Sequence, residues 1–206
     1  MPSYDPRAFF TFLKQGVTKW EQTASPFPSQ RFLVNAMVDG ARPETAGAIL
    51  ELGPGVGVMT TPLLARMRKD ARLFTIEIEP SIHDALCRNV SDPRLTPMLG
   101  SAADAESLLA DRGFDGKVDA VVSSLGMSLI PTAILEQILE ASRRVLAPHG
   151  VYVQFGYFHT KHVAYTKETG LRGFDYEGMV RRHFPRVTRR AVPLNVPPAW
   201  VYVGRA

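Results

Sequence analysis

Short apolar runs alternate along the chain with stretches in which apolar residues return every third or fourth position. The runs AGAILEL (46–52), RLFTIEIE (72–79), RLTPML (94–99), VDAVVSSL (118–125) and GVYVQFGY (150–157) read as strands. Between them the spacing predicts helices over 58–69, 81–90, 102–112 and 132–147. In the last of these Ile134, Leu135, Ile138, Ala141, Val145 and Leu146 share one side, which marks a buried face. Strand and helix alternating at this rhythm predict a parallel sheet with helices on both faces. After residue 157 the rhythm stops. A polar stretch leads to a short amphipathic segment (FDYEGMVRRHF, 174–184), then to two further candidate strands, PRVTRRAVPL (185–194) and AWVYVGRA (199–206). Joined by a tight NVPP turn, that pair predicts an antiparallel edge.

The junction of the first strand and first helix reads ELGPGVGVMTT (51–61). In an open α/β sheet this junction borders the ligand crevice. Gly53, Gly55 and Gly57 remove side chains where the backbone turns sharply and where a ligand must come close, and the amides of the following helix then face that ligand. Glu77, at the end of the second strand, is placed for a ribose. Glu51 stands just ahead of the glycines, where its charge disfavours a pyrophosphate and favours a cation. Glycines at such a junction also serve close packing, so the loop alone leaves both uses open.

Composition narrows the class. With 206 residues and 45% hydrophobic content, the chain suits one domain with a full core plus an arm. The single cysteine, Cys87, gives no disulfide framework, and no Cys/His cluster suggests a metal. The start MPSYDPRAFF lacks the features of a signal peptide, and no apolar window is long enough to span a bilayer, so a cytoplasmic location is expected. The net charge of +4 gathers late, in RRHFPRVTRR (181–190), which suits either a solvated face or an anion-binding one.

The pattern Glu51-x-Gly53-x-Gly55-x-Gly57, with Glu77 downstream, resembles the class I S-adenosylmethionine-dependent methyltransferases. The resemblance implies a Rossmann-like fold, a seven-stranded, mostly parallel sheet with an antiparallel last strand. It also implies S-adenosylmethionine as cofactor, held by Glu51, Gly53, Gly55, Gly57, Glu77, Ser101, Ala102 and Ser123. Within that superfamily, ILELGPGVGVMTTPLL (49–64), TIEIEP (75–80), SSLGMSLIP (123–131), VQFGYF (153–158) and NVPPAWVY (195–202) are similar to the bacterial phospholipid N-methyltransferases. Those enzymes methylate phosphatidylethanolamine stepwise to phosphatidylcholine. PSQRFLVNAM (28–37) is like their segment ahead of the first strand. Two departures stand out. Gly100-Ser101-Ala102 replaces a frequent Gly-Asp-Ala, so Ser101 or Asp104 is left to meet the adenine amine, and Ser123-Ser124-Leu125-Gly126 replaces a Ser-Gly-Leu-Pro-like segment.

A lipid substrate is also suggested by the first residues. PRAFFTFLKQGVTKWEQ (6–22) sets Phe9, Phe12, Leu13, Val17 and Trp20 at helical spacing, with Arg7, Lys14 and Lys19 toward the other side. Such a helix can lie among headgroups with its aromatics in the acyl boundary; a cap on the domain would show the same stripe. With the resemblance, residues 1–27 are expected to form an arm binding an anionic membrane surface reversibly, and 28–206 the methyltransferase domain. The protein would then sit peripherally on the inner face of the bacterial cell membrane.

The chemistry requires an amine lone pair aligned with an activated methyl group, and an aliphatic amine is mostly protonated at neutral pH. Burial frees the lone pair, and Tyr157 or His159 is the candidate proton acceptor or orienting group. Lys161, Arg181 and Arg182 are candidates for the substrate phosphate, and Tyr157, Phe158, Trp200 and Tyr202 for an aromatic face against methylated cations. Other readings are an rRNA adenine dimethyltransferase, a methyltransferase of a small amine, or a non-enzymatic S-adenosylmethionine sensor. The rRNA enzymes carry an Asn/Asp-Pro-Pro-aromatic after strand four and a helical second domain. Residues 123–126 carry no such motif and the chain leaves no room for that domain, so no nucleic-acid partner is expected.

Overall fold

The structure, a computed structural model, describes residues 30–158, 163–166 and 170–205. The proposed arm, with Phe9, Phe12, Leu13, Lys14 and Trp20, and the candidates His159 and Lys161 lie outside these residues.

The strands are β1 (Ala48–Leu52), β2 (Arg72–Glu77), β3 (Leu95–Leu99), β4 (Val118–Ser123), β5 (Leu146–Tyr157), β6 (Val163–Thr166), β7 (Gly170–Gly173), β8 (Arg186–Val192) and β9 (Ala199–Arg205). The helices are α1 (Gln30–Ala41), α2 (Thr60–Arg66), α3 (Pro80–Asn89), α4 (Ala105–Ala110), α5 (Thr132–Val145) and α6 (Tyr176–His183). Seven strands form one sheet in the order β3-β2-β1-β4-β5-β9-β8. Strands β1 to β5 are parallel; β9 runs antiparallel to both β5 and β8. This is the Rossmann-like arrangement with an antiparallel last strand.

Strands buried on both faces read as unbroken apolar runs, and β1 is buried at every position. Alternate residues divide between two cores. Leu50, Leu52, Phe74, Val121 and Tyr152 face α4, α5 and α6. Ile49, Leu73, Ala120, Val122 and Val153 face α1 and α2. Helix α5 buries Leu135, Ile138, Leu139, Ser142 and Val145, the three-to-four spacing expected of it. Helix α3 starts with Pro80, which lacks the amide that a first helical turn leaves unpaired anyway. Helix α6 is capped by Asp175, whose carboxylate accepts from the Gly178 amide at 2.9 Å.

Two elements differ from expectation. The polar stretch after β5 contains a hairpin, β6–β7, whose first strand packs against the short helical turn Met127–Leu129. Strand β5 also begins at Leu146, inside the predicted helix, because Leu146 pairs with Val118 before a register shift carries the ladder on at Ala120 and Val151. The turn between β8 and β9 contains a cis Val196–Pro197 bond and is tied by the Asn195 amide group donating to Pro197 O at 2.7 Å.

Candidate active site

Strand order reverses between β1 and β4, and a crevice opens at the carboxyl ends of strands at such a point. The ends of β1, β2, β3 and β4 are held level by backbone bonds: Gly53 N donates to Ile76 O, Ser124 N to Leu52 O and Gly100 N to Glu77 O, each at 2.9 Å. Glu51, Gly53, Gly55, Gly57, Glu77, Ser101, Ala102 and Ser123 are therefore brought to one edge of the sheet.

The three glycines have different neighbours. All have positive φ (+68°, +57° and +103° in order), so each sits where L side chains are strained. A Cβ on Gly53 would lie 2.6 Å from Leu125 Cδ2, and one on Gly57 would lie 2.8 Å from Val90 Cγ2. These two serve packing. A Cβ on Gly55 would meet nothing within 4 Å, and the space it would occupy is open to a ligand.

Two buried carboxylates flank this loop. Glu51 is completely buried; its Oε2 accepts from Thr60 Oγ1 at 2.8 Å and its Oε1 has no partner. Burial pushes its carboxyl up to about 8, against the Thr60 hydrogen bond, and the nearby charge of Glu77 adds to the rise. Glu77 Oε1 accepts from the amides of Ile78 at 2.9 Å and Glu79 at 3.1 Å, and its Oε2 from Gly55 at 3.4 Å. Burial raises its carboxyl too, and those three amides pull it back. The hydroxyls of Ser123 and Ser124 are likewise buried without a partner. Buried polar atoms are normally paired, so their concentration at one crevice suits a polar, partly cationic ligand. Ser101 caps the turn Ala102–Asp104, its Oγ accepting from Ala103 N at 3.2 Å.

The acceptor side is built differently. Tyr157 closes β5 on the α1 side of the sheet, edge-on to Phe155 with ring centroids 5.4 Å apart. Burial raises its phenol above the ordinary value. Phe158 stacks on Trp200 at 4.8 Å, and the Arg189 guanidinium lies 4.7 Å from the Trp200 ring centre. Tyr202 is buried edge-on to Tyr176. Arg181 pairs with Glu177 at 2.8 Å, and Arg182 pairs with Glu136 on α5. Both arginines thus belong to the outer helix layer, and neither is brought to the crevice.

Three residues of the site escape sequence reasoning. Thr60 binds Glu51, Leu125 fills the space over Gly53, and Gln154 Nε2 donates to Leu125 O at 3.1 Å and to Phe155 O at 2.7 Å. Gln154 alone left a signal, as a lone amide inside the apolar run of β5.

Residues 49–150 match the family model of the methyltransferase domain. The whole chain is similar to an ornithine lipid N-methyltransferase of Singulisphaera acidiphila, 28% identical over 96% of this chain and 95% of that protein. A ribosomal RNA small subunit methyltransferase A of Thiobacillus denitrificans is 32% identical over 57% of this chain and 42% of its own length. Among solved structures, 1,6-didemethyltoxoflavin-N1-methyltransferase of Burkholderia thailandensis, with bound 1,6-didemethyltoxoflavin and S-adenosylhomocysteine, superposes with a TM-score of 0.67. That likeness has 17% identity and covers 100% of this chain and 92% of that one. The fold, and the domain that residues 49–150 match, are those of the class I S-adenosylmethionine-dependent methyltransferases, and S-adenosylmethionine is the cofactor they indicate.

Proposed function

We propose that the protein methylates the aliphatic amine of a membrane lipid, with phosphatidylethanolamine and its mono- and dimethyl products as the substrates. The observation that carries this reading is similarity along nearly the whole chain to a relative named as a lipid N-methyltransferase. It extends past the shared cofactor domain into β5 and β9, which hold VQFGYF and NVPPAWVY. Ethanolamine and ornithine headgroups both present an aliphatic amine, so one acceptor chemistry covers both.

S-adenosylmethionine supplies a methyl group already activated on a sulfonium. The chain's own work is placement. In this reading Glu77 accepts from ribose hydroxyls, Gly55 leaves room for close approach, and Glu51 faces the cationic part of the cofactor. Ser101, Ala102 and Ser123 line the adenine side. Tyr157 orients the amine, and Phe158, backed by Trp200, offers its outer ring face to methylated nitrogen. Residues 1–27 tether the domain to an anionic surface on the cytoplasmic side.

The test is transfer of labelled methyl from S-adenosylmethionine into vesicles of phosphatidylethanolamine and phosphatidylglycerol. Parallel reactions use vesicles holding an ornithine lipid, soluble ethanolamine, and RNA. Label in mono-, di- or trimethylated phosphatidylethanolamine is expected. Label in the ornithine lipid alone would move the headgroup, and label in RNA alone would replace this reading with the rRNA one, which the Thiobacillus relative favours.

A further inference from the structure

Exposed apolar side chains normally lie scattered over a protein. Here they do not. Among the described residues the exposed large hydrophobics are Val58, Leu99, Leu129, Phe158, Leu194 and Val196. Val58 follows the glycine loop after β1, Leu99 ends β3, Leu129 follows β4 and Phe158 follows β5. Leu194 and Val196 sit in the turn after β8; Val192 and Tyr157 both pair with Ala199, so this turn lies at the same edge. All six therefore lie along the crevice edge of the sheet, from β3 at one end to β8 at the other.

Charge is sorted along the same axis. No Asp, Glu, Lys or Arg occurs in residues 52–65, 120–135 or 191–204, the segments that form the loops after β1, β4 and β8. The opposite edge carries Arg42 and Glu44, Arg68 to Asp70, Asp92 and Arg94, and Asp111 to Lys117 around its turns. The apolar tips are also held outward. Asn195 is buried and hydrogen-bonded to Pro197 O, which leaves its neighbours Leu194 and Val196 at 66% and 72% exposure. Phe158 N is tied to Pro198 O at 3.0 Å, which joins two of the loops.

We infer that this rim is an interfacial docking face that seats the crevice mouth on a lipid bilayer. The inference rests on the lipid reading above, and it names a surface separate from residues 1–27. A bilayer is favoured over a protein because the apolar points come singly from separate loops and the loops after β1, β4 and β8 hold no charged group to match a partner's polar surface; Glu79 and Asp104, after β2 and β3, bound this neutral stretch on its other side. A second copy seated there would also cover the mouth. Arg189 and Arg190, on the strand leading into the Leu194 turn, are paired with Glu177 at 2.8 Å and Asp39 at 3.4 Å, so the docking rests on the apolar tips.

The test uses the full chain and vesicles of phosphatidylethanolamine and phosphatidylglycerol. Cys87→Ser with Val196→Cys, carrying a polarity-sensitive fluorophore, is compared with Cys87→Ser with Asp115→Cys. A blue shift on adding vesicles is expected at 196 and not at 115. The double variant Leu194→Asp/Val196→Asp should lose about two orders of magnitude in vesicle partitioning, while calorimetric affinity for S-adenosylmethionine stays within about twofold. No blue shift at 196, or equal sedimentation of the double variant, would overturn the inference and leave residues 1–27 as the proposed membrane anchor. A change from dimer to monomer with vesicle binding unaltered would overturn it in favour of a second copy. A blue shift at 196 in a protein that methylates no lipid would uphold the docking face and remove the lipid-substrate reading alone.

Discussion

A carboxylate sealed inside a protein changes what the protein does with protons, and Glu51 is sealed completely. Its folded value near 8 lies above its ordinary 4.5, so the folded state keeps a proton that the unfolded chain releases across that window. Stability from this source is whole below about pH 4.5 and is lost as pH rises through 8, at up to about 1.4 kcal/mol per pH unit. Glu51→Gln should flatten that slope in denaturant titrations from pH 5 to 8. If a cation settles beside Glu51, the proton leaves: near pH 7 the wild type should release close to one proton on binding S-adenosylmethionine, read from calorimetry in buffers of differing ionisation enthalpy. Equal proton release by Glu51→Gln would take Glu51 out of the cofactor site. The glycines divide as sharply. Gly57→Ala should lower stability by about 1–3 kcal/mol through its clash with Val90 and its positive φ. Gly55→Ala should lower cofactor affinity by about tenfold or more, because what it fills is open space rather than a packed neighbour.

At the scale of elements, strands and loops are joined by side chains distant in sequence. Leu125, after β4, fills the space above Gly53 and offers its carbonyl to Gln154 on β5. One residue thereby spaces the loop after β1 from the strand that carries Tyr157. Leu125→Ala should lower stability by about 1–3 kcal/mol and kcat by about tenfold or more, with a smaller change in KM for the cofactor. An unaltered kcat would show that Leu125 only packs. The same distinction explains what was legible in the sequence. Strands β1 to β5 announce themselves by unbroken apolar runs, and the glycine loop with its two acids is local to two strand ends. Contacts such as Leu125 over Gly53 or Arg182 with Glu136 join residues far apart, and no spacing rule reports them. Hairpin β6–β7 has strands of four residues each, too short for a period to show. Helix α1 carries Leu33, Met37 and Ala41 four apart on its buried face, a signal blurred by Asn35, Asp39 and Gly40 between them.

Across the whole molecule, the loops after β1, β4 and β8 on the crevice edge of the sheet carry exposed apolar tips and no Asp, Glu, Lys or Arg, while the turns of the opposite edge are crowded with ions. Binding to vesicles through such a rim should survive salt that screens purely ionic contact; sedimentation in 0.5 M and 0.1 M salt, roughly twofold apart in screening length, reads this directly. Firmly presented tips such as Leu194 and Val196 also alter what concentration means for this protein. Seated on a bilayer as proposed, the crevice would sample a two-dimensional population, and its rate would follow the fraction of the surface that is substrate instead of the amount in the tube. Diluting phosphatidylethanolamine with a lipid that has no free amine, at constant total substrate, should slow methylation in proportion to its surface fraction, whereas a soluble amine would show no such dilution.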